Sequence, residues 1–118
     1  MARRVVWAAD AVLIVPVTGK LVGTEAIRRH QEGLRAAFPG ATVAVLGRLV
    51  HGDTVAVEWE YSGVHAGPLV LPHGVLPATN RRLTLRGASF LRYAADGLIA
   101  EERRYYDVWS VFDQLGLS

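Results

Sequence analysis

Alternation is cleanest at residues 54–64, TVAVEWEYSGV. Val55, Val57, Trp59 and Tyr61 fall on one side there, Glu58 and Glu60 on the other. A period of two predicts a strand with one face buried. The same reading of 81–93, RRLTLRGASFLRY, puts Leu83, Leu85, Ser89, Leu91 and Tyr93 on one face and Arg82, Arg86 and Arg92 on the other. Three more strands are predicted. AVLIVPV (11–17) is closed by Gly19, ATVAVLGRLVHG (41–52) runs into a turn at Gly52-Asp53, and LIAEERRYYDVW (98–109) is entered through the turn AADG at 94–97. The Pro- and Gly-rich stretch HAGPLVLPHGVLPATN (65–80) predicts a long loop.

The helical period is strongest at 23–40, GTEAIRRHQEGLRAAFPG, where Ile27, His30, Leu34 and Phe38 make one stripe. Thr24 is the expected N-cap, Glu25 suits the positive end of the helix dipole, and Pro39-Gly40 stops the helix. A short closing helix is predicted at SVFDQLG. Ser110 is its expected cap, with Asp113 three residues on in a capping-box variant, and Gly116 its end. One main helix followed by a run of strands predicts an α+β fold in which a curved antiparallel sheet wraps around the helix. With no internal repeat or linker, residues 1–118 are expected to form a single domain.

Composition narrows the function. The chain is 51% hydrophobic and 20% charged, which suits a globular fold rather than disorder. There is no cysteine, so disulfides, thiol nucleophiles and thiolate metal sites are excluded. That fits a cytoplasmic protein. The opening MARRVVWAADAVLIVPV resembles a signal peptide, but Asp10 interrupts the apolar run and no small-residue cleavage site follows. No stretch is long enough to span a bilayer. Net charge is only +2, and the pairs Arg3–Arg4, Arg28–Arg29, Arg81–Arg82 and Arg103–Arg104 are dispersed among acids, which argues against nucleic acid as a partner. His51, His65 and His73 lack an HxH or HExxH spacing, so no metal site is expected.

Taken in order, the stretches GTEAIRRH…AAFPG, HGDTVAVEW, GVHAGPL and TNRRLTLRGASFLRY…DGLIAEERRYYD resemble the SnoaL-like polyketide cyclases of the nuclear transport factor 2-like superfamily. The resemblance covers roughly residues 7–117. It implies a cone-shaped α+β fold with a ligand pocket inside, and cofactor-free, lyase- or isomerase-type chemistry. It also implies a small apolar or aromatic ligand and a homodimer. Family members usually begin with a further long helix, whereas only a short stretch precedes the first strand here. The helix carries His30 where an aromatic is common, and ends Phe38-Pro39-Gly40 rather than FPD.

The resemblance points to an aspartate on the last strand as the acid/base group, and Asp107 is the match. Strand parity agrees, because Tyr105, Asp107 and Trp109 share one face of the expected strand. Since Ser110 is read as the helix cap, Asp107 is expected to project into an aromatic-lined cavity, where desolvation would make it a useful proton shuttle. His30, Trp59, Tyr61, Ser89, Leu91, Tyr93 and Tyr105 are the expected substrate-binding residues. Tyr93 occupies the place of a helper histidine in such cyclases. By the same resemblance, the base position of ketosteroid isomerases, a known example of tuned carboxylates, holds Val15 here, and its acidic oxyanion donor is replaced by Ser89. An epoxide hydrolase-like enzyme would need Asp-Arg-Asp, and a second pocket aspartate is not evident. A non-catalytic binding or dimerisation module of the same fold is the other alternative.

Overall fold

The structure, a computed structural model, describes residues 6–117; the Arg3–Arg4 pair and the first residues of the signal-like opening lie outside them. The elements are β1 (Trp7–Val15), β2 (Gly19–Val22), α1 (Thr24–Ala37), β3 (Thr42–His51), β4 (Thr54–Val64), β5 (Leu69–Leu71), β6 (Gly74–Leu76), β7 (Arg82–Tyr93), β8 (Ile99–Tyr106) and α2 (Val108–Gln114). A six-stranded sheet runs in the order β2-β1-β8-β7-β4-β3, and β5-β6 form a separate hairpin. The fold is α+β, as expected. The sheet is mixed rather than wholly antiparallel, because β1 lies parallel to β8. None of the helices among the described residues is long and apolar enough to cross a membrane.

The first strand reaches back to Trp7, and the chain then reverses through a turn that holds Val17 at φ 70° before β2 pairs with it. Val17 carries a β-branched side chain in the left-handed region, a strained conformation that the sequence did not signal. Gly23, not Thr24, occupies the N-cap of α1 and offers no side-chain cap. Thr24 is the first helical residue instead. Ile27, Ala37 and Phe38 are buried, while His30 and Leu34 are half-buried and line a cavity. The stripe therefore divides between packing and cavity. The expected loop at 65–80 folds back as the β5-β6 hairpin, and Leu69, Val70 and Leu71 join the cavity wall.

Two clusters form the core. Ala11, Leu13, Val15 and Ile27 seal α1 against β1, and Ala37, Phe38, Leu83, Leu85 and Leu115 close the other end. Between them the concave face of β4, β7 and β8 lines a cavity. The inward residues of β4 and β7 are those the alternation predicts. The inward residues of β8 are not.

Candidate functional site

Pairing fixes which side chains of β8 face inward. Leu91 lies opposite Glu102, Ser89 opposite Arg104 and Gly87 opposite Tyr106. Leu91 and Ser89 belong to the concave face, so Glu102, Arg104 and Tyr106 do too, since cross-strand partners share a side. This reverses the expected parity. Tyr105 points to the convex face and packs edge-on to Phe90 at 6.0 Å. Trp109 is 75% exposed, and neither residue lines the cavity.

Asp107 is also placed differently from expectation. It is exposed and is itself the N-cap of α2, where its Oδ1 accepts from the Ser110 backbone N–H at 3.3 Å. Ser110 is the third helical residue and supplies the donor; its hydroxyl instead accepts from Gln114 Nε2 at 2.9 Å. The carboxylate thus satisfies an orphan helix N–H outside the cavity. Asp107→Ala is expected to cost about 1 kcal/mol, whereas Asp107→Asn keeps the cap and most of the stability. Urea unfolding of the two variants checks this, and equal stabilities would remove the capping role.

The cavity measures about 1720 Å³, above the roughly 300–1,000 Å³ of most ligand pockets. The excess is open surface along β3, where Val43, Val45 and Val50 line it yet remain 62%, 56% and 66% exposed. His30, Trp59, Tyr61, Ser89, Leu91 and Tyr93 all line it. Of the expected substrate-binding residues only Tyr105 does not.

At the centre lies a buried polar chain. Trp59 Nε1–H donates to Ser89 Oγ at 3.0 Å, and the Ser89 hydroxyl donates to Glu102 Oε2 at 3.0 Å. Arg104 Nε–H donates to the same oxygen at 2.6 Å. Ser89 and Glu102 are 3% and 7% exposed, so the carboxylate is tolerated only because it is paired and hydrogen-bonded. Both contacts fall on Oε2, and no protein donor takes Oε1 among the described residues. Among those residues Glu102 is also the one carboxylate in the cavity wall.

Burial perturbs the flanking titratable groups. Burial pushes the His30 imidazole below its ordinary range, the Arg104 charge pushes it further, and Glu102 partly opposes both. Burial raises the phenols of Tyr106 and Tyr61, the former against a smaller opposing effect of Arg104. Tyr106 packs on Trp59 with ring centroids 6.3 Å apart. Around Glu102 the site therefore offers the Arg104 guanidinium, the His30 imidazole and the Tyr61 and Tyr106 phenols beside an apolar space. His65 is fully buried elsewhere, stacked on Phe38, with Nδ1 bonded to Thr79. No group of three or more His, Asp or Glu among the described residues could hold a metal ion.

Residues 4–102 match the model of the SnoaL-like domain family. The chain belongs to that family. Among solved structures it is similar to a protein of Jannaschia sp. CCS1 named as a SnoaL-like polyketide cyclase, with a TM-score of 0.84 and 21% identity over 96% of this chain and 75% of that one. It is similar to IdmH of Streptomyces antibioticus, named as a polyketide cyclase, with a TM-score of 0.74 and 25% identity over 94% and 82% of the two chains. A Catenulispora acidiphila protein described as having a ketosteroid isomerase-like fold matches with a TM-score of 0.76 and 24% identity over 96% and 78%. None of the curated proteins matches the chain in sequence.

Proposed function

We propose that the chain is a cofactor-independent cyclase-like enzyme that uses Glu102 as its acid/base on a bulky, polyketide-like carbonyl compound. The observation that carries this reading is a single buried cavity carboxylate, held on one oxygen by Ser89 and Arg104. Glu102 Oε1 takes a proton from a C–H group next to a carbonyl, and the electron pair of that bond becomes an enolate. The enolate carbon attacks a second carbonyl of the same molecule. A C–C bond forms, the attacked carbonyl becomes an alkoxide, and Glu102 returns the proton to it. Arg104 and the Tyr106 hydroxyl lie on the same face and can stabilise the negative oxygen as it develops. The membership of the SnoaL-like family supports the same reaction class. The apolar wall of Leu85, Leu91, Val57 and Tyr93 suits a fused-ring substrate.

An epoxide hydrolase-like reaction draws no comparable support, because it needs two carboxylates about an arginine. A pure binding module is the second reading, favoured by the close Arg104–Glu102 ion pair, which already compensates the buried charge.

Exchange of carbon-bound protons tests the reading without the natural substrate. An aryl 1,3-diketone such as 1-(2-naphthyl)butane-1,3-dione, incubated in D₂O, should incorporate deuterium between its carbonyls faster with the protein than in buffer, in a saturable way. Across a panel of such ketones, proton NMR showing no acceleration at micromolar protein would favour the binding module.

A further inference from the structure

The expected strand at 41–52 contains a device that its alternation conceals. Val43 and Val45 face inward opposite Tyr61 and Trp59, and the register then slips between Val45 and Gly47, so that Gly47 pairs with Glu58, Arg48 with Val57 and Val50 with Val55. Leu46 is the extra residue of a β-bulge. Uninterrupted alternation would have turned Gly47 and Leu49 into the cavity. The bulge instead sends Leu49 outward, where it is 77% exposed, and aims Arg48 at the concave face. Bulges beside functional sites often re-aim one side chain, and here Arg48, exposed like the whole of β3, is set along the open side of the cavity.

Arg48 has no ion-pair or hydrogen-bond partner among the described residues. On its face it is flanked by Val45, Val50 and Val57. The charged groups lining the cavity are Arg29, Arg35, Arg48, Arg104 and Glu102, and Glu102 is already engaged by Arg104. The wall is therefore cationic in excess, and a cleft with apolar walls strengthens the field of such an excess.

We infer that Arg48 is an anion-recognising subsite, and that the cavity takes an apolar acid whose carboxylate pairs with this guanidinium while its ring system lies along the concave face. This deepens the reading above and rests on it for the cavity being the substrate site. The cross-sheet row Arg48–Val57–Ser89–Arg104 links the subsite to the polar chain. Three strand spacings make that row about 14 Å long between backbones. Both arginines line the cavity at opposite ends of that row. A guanidinium suits this role because it binds a carboxylate through two parallel hydrogen bonds.

Calorimetric titration with 2-naphthoate and its neutral isostere 2-naphthamide tests the inference. The unaltered protein should bind the acid about tenfold more tightly at low salt, as expected of one charge-assisted contact. The preference should shrink as salt is raised. Arg48→Gln should bring the two probes to near equality, Arg48→Lys should restore part of the preference, and Arg35→Gln should leave it intact. Equal affinities in the unaltered protein, including no measurable binding of either probe, would overturn the subsite. So would a preference that survives Arg48→Gln. The acid preference is read on the unaltered protein and the Arg48 variants, and deuterium exchange on the unaltered protein and Glu102→Gln, so a failure of the subsite and a failure of the catalytic reading give different results.

Discussion

Glu102→Gln is expected to reduce protein-dependent deuterium exchange by about 10²–10⁴-fold, the usual contribution of a positioned general base. The amide has the size of the carboxylate, and its carbonyl oxygen can still accept from Ser89 Oγ and Arg104 Nε, which now share Oε2. What it loses is the capacity to take a proton and the charge that balances Arg104. The Arg104 side chain is 19% exposed, so it is left mostly buried without its ion partner, and stability should also fall. Two companions separate chemistry from folding. Glu102→Asp keeps the acid but shortens it and should retain measurable exchange, and binding of 2-naphthamide should be largely unchanged in both variants. Exchange at the unaltered rate in Glu102→Gln would show that another group is the base.

Gly87→Ala is expected to destabilise the fold by about 1–3 kcal/mol through overpacking, seen as a melting temperature lower by several degrees. Gly87 lies between Trp59 on β4 and Tyr106 on β8. A Cβ there would stand 2.5 Å from Trp59 Cη2 and Cζ2 and 2.7 Å from the Tyr105 carbonyl oxygen. The indole lies across the strand where only a glycine leaves room, the usual meaning of glycine inside a strand. Moving the ring would also pull Nε1 from Ser89 Oγ and loosen the chain that holds Glu102. Gly47→Ala, whose Cβ meets nothing within 4 Å, is the control and should be close to neutral. Replacing Trp59 by Leu should rescue part of the Gly87→Ala loss, since the two positions share one contact and cannot be additive. Thermal unfolding of the unaltered protein, the three single variants and the double variant decides it, and an unchanged Gly87→Ala would mean that the sheet yields easily at this point.

Position along the chain explains which parts of the site were legible. In β4 and β7 each face has its own chemistry: Val55, Val57, Trp59 and Tyr61 against Glu58 and Glu60, and Leu83, Leu85, Ser89 and Leu91 against arginines. Alternation of that kind has one phase, so it set these inward faces correctly, and Trp59, Tyr61, Ser89, Leu91 and Tyr93 line one cavity with His30 of the helical stripe. The main helix was equally legible from Ile27 and Phe38, as was the turn at Gly52-Asp53.

The last strand reads Glu-Glu-Arg-Arg-Tyr-Tyr, and every residue type occurs once on each face. Such a run has the same amphipathicity in either phase, so nothing local distinguishes Glu102 from Glu101 or Tyr106 from Tyr105. A shift of one residue turns every side chain to the other face. The hydrogen-bonded register with β7 settles the phase, and it turned Glu102, Arg104 and Tyr106 inward. The bulge in β3 is a tertiary outcome of the same sort, since its slip shows only in the pairing with β4. So is the cap of α2, where Asp107 and Ser110 are both good capping residues and the position at which β8 ends selected the first. The sequence by itself determined the main helix, the long strands β3, β4, β7 and β8, and the faces whose alternation has a single phase. The tertiary structure decided which carboxylate and which arginines face the cavity, because strand phase is fixed by backbone pairing between segments distant in the chain.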